Sequence, residues 1–121
     1  MLFRSSTIED HIAPWKSTYA GARLFAGDTR FVLGGSGHIA GIINPPAAGK
    51  YCFWTQESLA ETPQAWFDGA QQQPGSWWTD WAQWAAGKGQ SKIAARVPGE
   101  GKLPALEDAP GSYVKVKLAT A

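Results

Sequence analysis

The sequence predicts an α/β chain, in which short helices alternate with short strands. A helix is predicted after Pro14, where apolar residues recur at helical spacing: Trp15, Tyr19, Ala22, Leu24 and Phe25. Residues 29–33 (TRFVL) are β-branched and aromatic, which is typical of a strand. A glycine-rich turn with His38 follows this strand directly, in the place where open α/β sheets bind their ligands.

The rest of the chain is predicted element by element. Residues 51–55 fit either a short strand or an aromatic connection, and residues 63–72 fit a helix with Trp66, Phe67 and Ala70 on its apolar side. A further helix is expected from Ser76, its N-cap, to about residue 86. Residues 88–121 form an irregular tail, except that the alternation in 113–117 predicts a terminal edge strand.

Composition excludes several classes of protein. The chain has 121 residues, enough for one domain, and a net charge of +1, which gives no electrostatic reason to expect a nucleic acid or an anionic membrane as partner. No apolar run approaches the roughly 20 residues of a membrane span. A single cysteine, Cys52, and two histidines favour neither a disulfide framework nor a structural metal site. We expect a protein of the reducing cytoplasm without a metal.

Asp10 and His38 are the one pair of residues that indicates chemistry. Asp10 precedes the first predicted helix, and His38 follows the first predicted strand. A helix–strand unit between them returns the chain to the same edge of a sheet, and an acid loop followed by a histidine loop is the last part of the α/β-hydrolase order. The spacing alone leaves two alternatives open: Asp10 as a helix cap and His38 as an ordinary surface histidine.

Six segments in order resemble class I polyhydroxyalkanoate synthases, and together they extend over about residues 8 to 117. They are EDHIAPW at 9–15, RFVLGGSGHIAG at 30–41, INPP at 43–46, PGSWWTDW at 74–81, ARVPG at 95–99 and PGSYVK at 110–115. The resemblance implies that residues 1–121 are the C-terminal part of an α/β-hydrolase-like catalytic domain, its last strands and helices only.

The same resemblance implies an acyltransferase that polymerises (R)-3-hydroxyacyl-coenzyme A into polyester and releases coenzyme A. Asp10 and His38 match the family's catalytic aspartate and histidine, whose third partner is a cysteine nucleophile in a Gly-x-Cys-x-Gly turn. The implied partners are the coenzyme A thioester, the growing polyester, the polyhydroxyalkanoate granule and a second copy in a homodimer. No cofactor beyond the substrate's own coenzyme A is implied.

The chain departs from the family in two places. It contains no Gly-x-Cys-x-Gly, and Cys52 lies downstream of His38, where we interpret it as a half-buried thiol. Residues 1–7 are an atypical start, unlike the hydrophobic strand that leads to the family's aspartate. We therefore expect a fragment that is inactive alone.

Three further hypotheses concern other residues. Trp77, Trp81 and Trp84 share one helix face, which we interpret as core, with a non-catalytic module that binds polyester granules as the alternative. Ser36 as the nucleophile of a stand-alone hydrolase is disfavoured, because residues 34–38 fail the Gly-x-Ser-x-Gly pattern. His11 is expected to pack or to support Asp10 rather than to react.

Overall fold

The computed structural model describes residues 1–89 and 91–118, and the chain divides into two compact units, residues 1–89 and 90–121. The first unit contains four strands and three α-helices: β1 (Leu2–Thr7), α1 (Trp15–Ala22), β2 (Thr29–Gly34), β3 (Cys52–Thr55), α2 (Pro63–Gly69), β4 (Gln71–Pro74) and α3 (Trp78–Ala86). In the second unit, the described residues form turns, bends and one 3₁₀ helix, Tyr113–Lys115.

The four strands form one mixed sheet in the order β1-β2-β3-β4. β1 and β2 run parallel, with Leu2 opposite Thr29 and Thr7 opposite Gly34, and α1 connects them. β3 is antiparallel to β2, and β4 is antiparallel to β3. The α/β prediction is confirmed at this level, since helices and strands alternate around a mixed sheet.

One face of the sheet is covered by α1 and α2. Six buried residues form this core: Trp15, Tyr19, Ala22, Phe31, Leu33 and Trp66. Phe31 meets both Tyr19 and Trp66 edge-on, at centroid distances of 5.0 and 4.9 Å, an arrangement that aromatic rings prefer. The hydroxyl of Tyr19 donates to the carbonyl of Ala60 at 2.8 Å, and burial raises the pKa of Tyr19. The predicted apolar side of α1 is therefore right for three of its five residues.

The other two, Leu24 and Phe25, are exposed, so this part of the prediction is wrong. α1 ends at Ala22, because Arg23 and Leu24 already close its last turn onto Tyr19 and Gly21. Helical spacing beyond that point no longer corresponds to a helix face.

α3 packs on the opposite face of the sheet. Successive strand residues point to opposite faces, so Arg30 lies across the sheet from Phe31. Arg30 forms a two-pronged ion pair with Asp80 of α3, in which Nε lies 2.7 Å from Oδ2. Phe3 of β1, the register partner of Arg30, contacts the rings of Trp77 and Trp84. Of the three tryptophans on the predicted face, Trp77 and Trp84 thus pack within the unit, whereas Trp81 is 47% exposed.

Three predicted elements differ in the structure. Residues 2–7 form a strand where the sequence predicted none, because β1 is held by backbone pairing with β2, which needs no apolar side chains. Residues 71–74 form β4 instead of continuing the second predicted helix, which ends at Gly69 and turns extended at Ala70. The terminal edge strand at 113–117 is wrong: no strand occurs among the described residues of the second unit.

Candidate active site

The parallel pairing of β1 and β2 brings the ends of both strands to one edge of the sheet. The two loops that follow stay hydrogen-bonded to each other: Ile8 N–H donates to the carbonyl of Gly34 at 2.9 Å, and Glu9 N–H donates to that of Ser36 at 3.1 Å. The strand ladder therefore continues into the loops, and it places Asp10 beside the turn that carries His38.

The side chains of Asp10 and His38 are in direct contact. His38 Nδ1 lies 2.8 Å from Asp10 Oδ2, while Asp10 Oδ1 accepts the backbone N–H groups of Ile12 and Ala13 at 2.9 and 2.8 Å. The sequence alternative of Asp10 as a helix cap is wrong, because α1 begins at Trp15 and has no side-chain cap. Asp10 instead closes a local turn with one oxygen and holds the histidine with the other.

Hydrogen bonding favours the ionised form of Asp10. The Ala13 N–H holds the pKa of Asp10 below its usual value, and contacts with His38 and the Ile12 N–H act in the same direction, against the opposing effect of burial. The Asp10 side chain is 7% exposed and that of His38 is 45% exposed. An ionised carboxylate only accepts, so Nδ1 of His38 carries the hydrogen and Nε2 of the neutral ring is left with a lone pair.

Close backbone packing explains part of the glycine-rich turn. Gly35 N–H donates to the carbonyl of Cys52 at 2.8 Å, and a Cβ at Gly35 would lie 2.9 Å from that oxygen. A Cβ at Gly41 would overlap both the Thr7 side chain and the carbonyl of Gly35. The turn thus needs a glycine at Gly35, where the backbone of β3 lies close, whereas Gly37 has open space around it.

The other sequence candidates lie outside this contact. Cys52 is on β3 and is half-buried, as predicted. Ser36 has a positive φ of 70°, and His11 is exposed. Within residues 1–89 and 91–118, none of the three hydrogen-bonds to the His38 side chain, and no cluster of three metal-ligating side chains is present. No helix in those residues is long and apolar enough to cross a membrane.

Three residues hold the segment after His38 through hydrogen bonds that the sequence did not predict, although Trp77 was expected to pack in the core. The indole N–H of Trp77 donates to the carbonyl of Gly41 at 3.0 Å, and that of Trp78 donates to the carbonyl of Ile42 at 2.9 Å. Asn44 is buried, and its amide donates to the carbonyls of Lys50 and Gly75. The available signal was chemical: a tryptophan that packs inside a protein usually needs a partner for its N–H.

Comparison with known proteins gives the chain its relatives. No protein-family model matches it. It is 53% identical over 110 residues to the poly(3-hydroxyalkanoate) polymerase subunit PhaC of Cupriavidus necator. This alignment covers 90% of this chain and 19% of that protein. The subunit PhaC of Rhizobium etli is 47% identical over 113 residues, and the poly(3-hydroxyalkanoate) polymerase of Methylorubrum extorquens is 43% identical over 117.

These alignments cover nearly all of this chain and little of its relatives. The match accounts for 93% of the chain and 18% of the Rhizobium etli polymerase, and for 96% and 19% with that of Methylorubrum extorquens. The chain thus spans about a fifth of the length of the curated relatives it matches. By its sequence, the chain is therefore similar to one segment of the poly(3-hydroxyalkanoate) polymerases.

Proposed function

We propose that this chain supplies the aspartate and histidine of a Cys-Asp-His triad in an acyltransferase that polymerises (R)-3-hydroxyacyl-coenzyme A. The observation that carries the proposal is the 2.8 Å contact between His38 Nδ1 and Asp10 Oδ2, which leaves Nε2 free to take a proton. The helix between two parallel strands, with the acid after the first and the histidine after the second, is the arrangement expected in the last part of an α/β-hydrolase-like domain.

The first step is acyl transfer to the cysteine, which another part of the polymerase provides. Nε2 of His38 takes the thiol proton, the thiolate forms a bond to the thioester carbonyl carbon, and the bond from that carbon to the sulfur of coenzyme A breaks. The proton on His38 then passes to the departing coenzyme A thiolate. Asp10 stabilises the transient imidazolium and keeps the ring oriented.

The second step extends the polymer. The 3-hydroxyl of an incoming hydroxyacyl group attacks the acyl-cysteine, its proton passes to Nε2 of His38, and the cysteine leaves as a thiol after recovering that proton. Both steps need only the thioester substrate and three side chains. The proposal therefore includes no cofactor beyond the coenzyme A that the substrate carries.

The isolated chain tests the need for the missing nucleophile. Without a cysteine in a Gly-x-Cys-x-Gly turn no acyl-enzyme forms, so we expect no release of coenzyme A from 3-hydroxybutyryl-coenzyme A in a thiol-trapping assay. Release that is abolished by His38→Ala would contradict the proposal. A fluorophosphonate probe that labels Ser36 would instead support the hydrolase hypothesis, and we expect no labelling.

A chimera tests the two residues directly. In the Cupriavidus necator polymerase, the segment aligned with this chain is replaced by the chain itself, which is 53% identical to it. We expect the chimera to release coenzyme A, and His38→Ala or Asp10→Asn to slow that release by about 10³-fold or more. His11→Gln, one position from Asp10 and exposed, is the matched control and should leave the rate unchanged. An active His38→Ala chimera would contradict the proposal.

A second candidate function, binding to a polyester granule, is favoured by one observation. Ile42, Ile43 and the tryptophans 77, 78 and 81 line an open groove with almost no polar surface, and Ile43 and Trp81 are exposed. We expect the chain to cosediment with polyester particles and Trp81→Ala to lose this binding. An unchanged supernatant fraction in the presence of polymer would rule this function out.

A further inference from the structure

We propose that Trp77 and Trp78 are positioning residues for His38, through hydrogen bonds from their indole N–H groups to the loop that carries the histidine. The inference rests on the proposed function, because it concerns the orientation of the proposed base. Each indole binds the backbone three or four residues beyond His38 along the chain.

The loop after His38 folds into a compact turn. Gly41 N–H donates to the carbonyl of Gly37 at 2.9 Å, and Ile43 N–H donates to that of Ile39 at 2.8 Å. The first of these hydrogen bonds spans His38 and the second follows it directly, so the position of the histidine backbone depends on where this turn lies. The carbonyls of Gly41 and Ile42 in this turn accept the two indole N–H groups. The tryptophans therefore fix the far end of the same turn that presents the histidine.

The tryptophans are themselves fixed by the sheet. Trp77 stacks on Phe3 of β1 at a centroid distance of 6.0 Å and an interplanar angle of 24°. One turn of α3 further on, Asp80 is paired with Arg30 of β2, and Asp80 holds the pKa of Arg30 above its usual value. Just before α3, the side-chain hydroxyl oxygen of Ser76 accepts a hydrogen bond from the backbone N–H of Trp78 at 3.1 Å. The start of α3 is thus tied to the two strands from which the Asp10 and His38 loops emerge.

The donor atom, and not only the ring, matters in this arrangement. A backbone carbonyl in a loop has no strand partner and needs another donor when it is covered. Replacing an indole by a phenyl ring keeps most of the apolar contact and removes the N–H. The carbonyl of Gly41 or Ile42 then loses its partner, the turn gains freedom to move, and Nδ1 of His38 is held less firmly against Asp10.

The tautomer of His38 is a readout that a purely structural contribution would not move. In this chain, ¹⁵N chemical shifts of the labelled histidine rings at neutral pH report the ratio of the Nδ1–H to the Nε2–H tautomer, which the hydrogen bond to Asp10 sets. We expect Trp77→Phe and Trp78→Phe to lower this ratio by about threefold or more, the effect of roughly one hydrogen bond. Trp81→Phe is the matched control, since Trp81 is exposed and its indole donates no hydrogen bond within the described residues.

A second measurement needs no substitution and so does not depend on the variants folding. In the unaltered chain, the indole N–H protons of Trp77 and Trp78 should exchange with solvent about tenfold more slowly than that of Trp81. Equal exchange, or folded Phe variants with an unchanged tautomer ratio, would overturn the inference. Neither measurement uses catalysis, so an inactive chimera would count against the proposed function and leave this inference standing.

Discussion

At the scale of single residues, the two carboxylate oxygens of Asp10 have separate partners. Oδ1 accepts two backbone N–H groups of its own turn, and Oδ2 meets His38. The two backbone N–H groups therefore fix the orientation of the carboxylate independently of His38. This limits how far the Asp10–His38 pair can rotate. An asparagine at this position keeps the shape but loses the charge that the two N–H groups and the imidazole all favour.

The first prediction concerns acid stability. A carboxyl whose pKa is lower in the folded than in the unfolded state stabilises the fold above the unfolded value, here 3.8, and this stabilisation is lost as pH falls through the lower folded value. Below pH 3.8, the unfolding free energy of the unaltered chain should fall partly because Asp10 becomes protonated, and we expect Asp10→Asn to remove this contribution. His38→Ala should remove only some of it, because the N–H groups of Ile12 and Ala13 still favour the ionised carboxylate.

Urea unfolding between pH 2 and pH 6 measures this effect. All seven tryptophans precede residue 85, so their fluorescence follows the first unit alone. If the unfolding free energies of Asp10→Asn and of the unaltered chain fall in the same way at acid pH, the Asp10 contacts add no stability.

A second prediction at this scale concerns Gly41. A methyl group there has no room between Thr7 and the Gly35 carbonyl, so Gly41→Ala should lower the unfolding free energy by about 1–3 kcal/mol. The matched control is Gly21→Ala in α1, where a Cβ meets nothing within 4 Å and should stabilise the helix by roughly 0.5–1 kcal/mol. Equal effects of the two substitutions in tryptophan-detected unfolding would contradict the crowding at Gly41.

At the scale of elements, one ion pair joins α3 to the sheet. The side chains of Arg30 and Asp80 are 27% and 14% exposed and meet through two pairs of atoms, whereas Lys88 and Asp28 are 39% and 72% exposed and lie 3.6 Å apart. Partial burial reduces screening by water and the two-pronged geometry limits motion, so the first pair should couple more strongly.

Double-mutant cycles compare the two pairs. We expect a coupling free energy of about 1 kcal/mol or more between Arg30→Gln and Asp80→Asn, and less than about 0.5 kcal/mol between Lys88→Gln and Asp28→Asn. Similar values for both pairs would contradict the stronger coupling expected between Arg30 and Asp80.

Element by element, the sequence predicted what local chemistry determines. Pro14 and the spacing of Trp15, Tyr19 and Ala22 identified α1, and the β-branched run identified β2. β1 and β4 escaped prediction because a strand such as Gln71–Pro74 exists only through its partner, and the partner is invisible to a local pattern. The error at 113–117 is the converse, an alternating pattern without a partner strand in the described part of the second unit.

The candidate site divides in the same way. The order of Asp10 and His38 and the glycine-rich turn predicted that the two residues meet, but left other interpretations open, and their catalytic roles stay a prediction that rests on the family resemblance. The hydrogen bonds of Trp77 and Trp78 were not predictable, since helical spacing assigns a residue to a face and says nothing about which carbonyl its N–H will reach.

At the scale of the whole molecule, the first unit leaves much apolar surface open to water. Five large apolar residues there are more than 60% exposed: Met1, Ile12, Leu24, Ile39 and Ile43. Exposed apolar surface of this kind promotes association. We therefore expect the chain to self-associate, with a mass by light scattering above the 13.0 kDa of a single copy.

Substitution tests this expectation. Leu24→Gln combined with Ile39→Gln should move the mass towards that of one copy, and Gln72→Ser with Gln83→Ser, at exposed polar positions, should not. A monomer at all concentrations would show that these side chains attract no second copy.

The parallel register of β1 and β2 has a consequence for how this segment tolerates change. The gap between acid and base is set by the spacing of neighbouring strands and by the two backbone hydrogen bonds that extend their ladder. None of these distances depends on the side chains of Arg4 or Ser5. Substitutions at Arg4 and Ser5 can therefore accumulate without moving the acid and the base beyond them, whereas Phe3, which stacks on Trp77, is not free to change in this way.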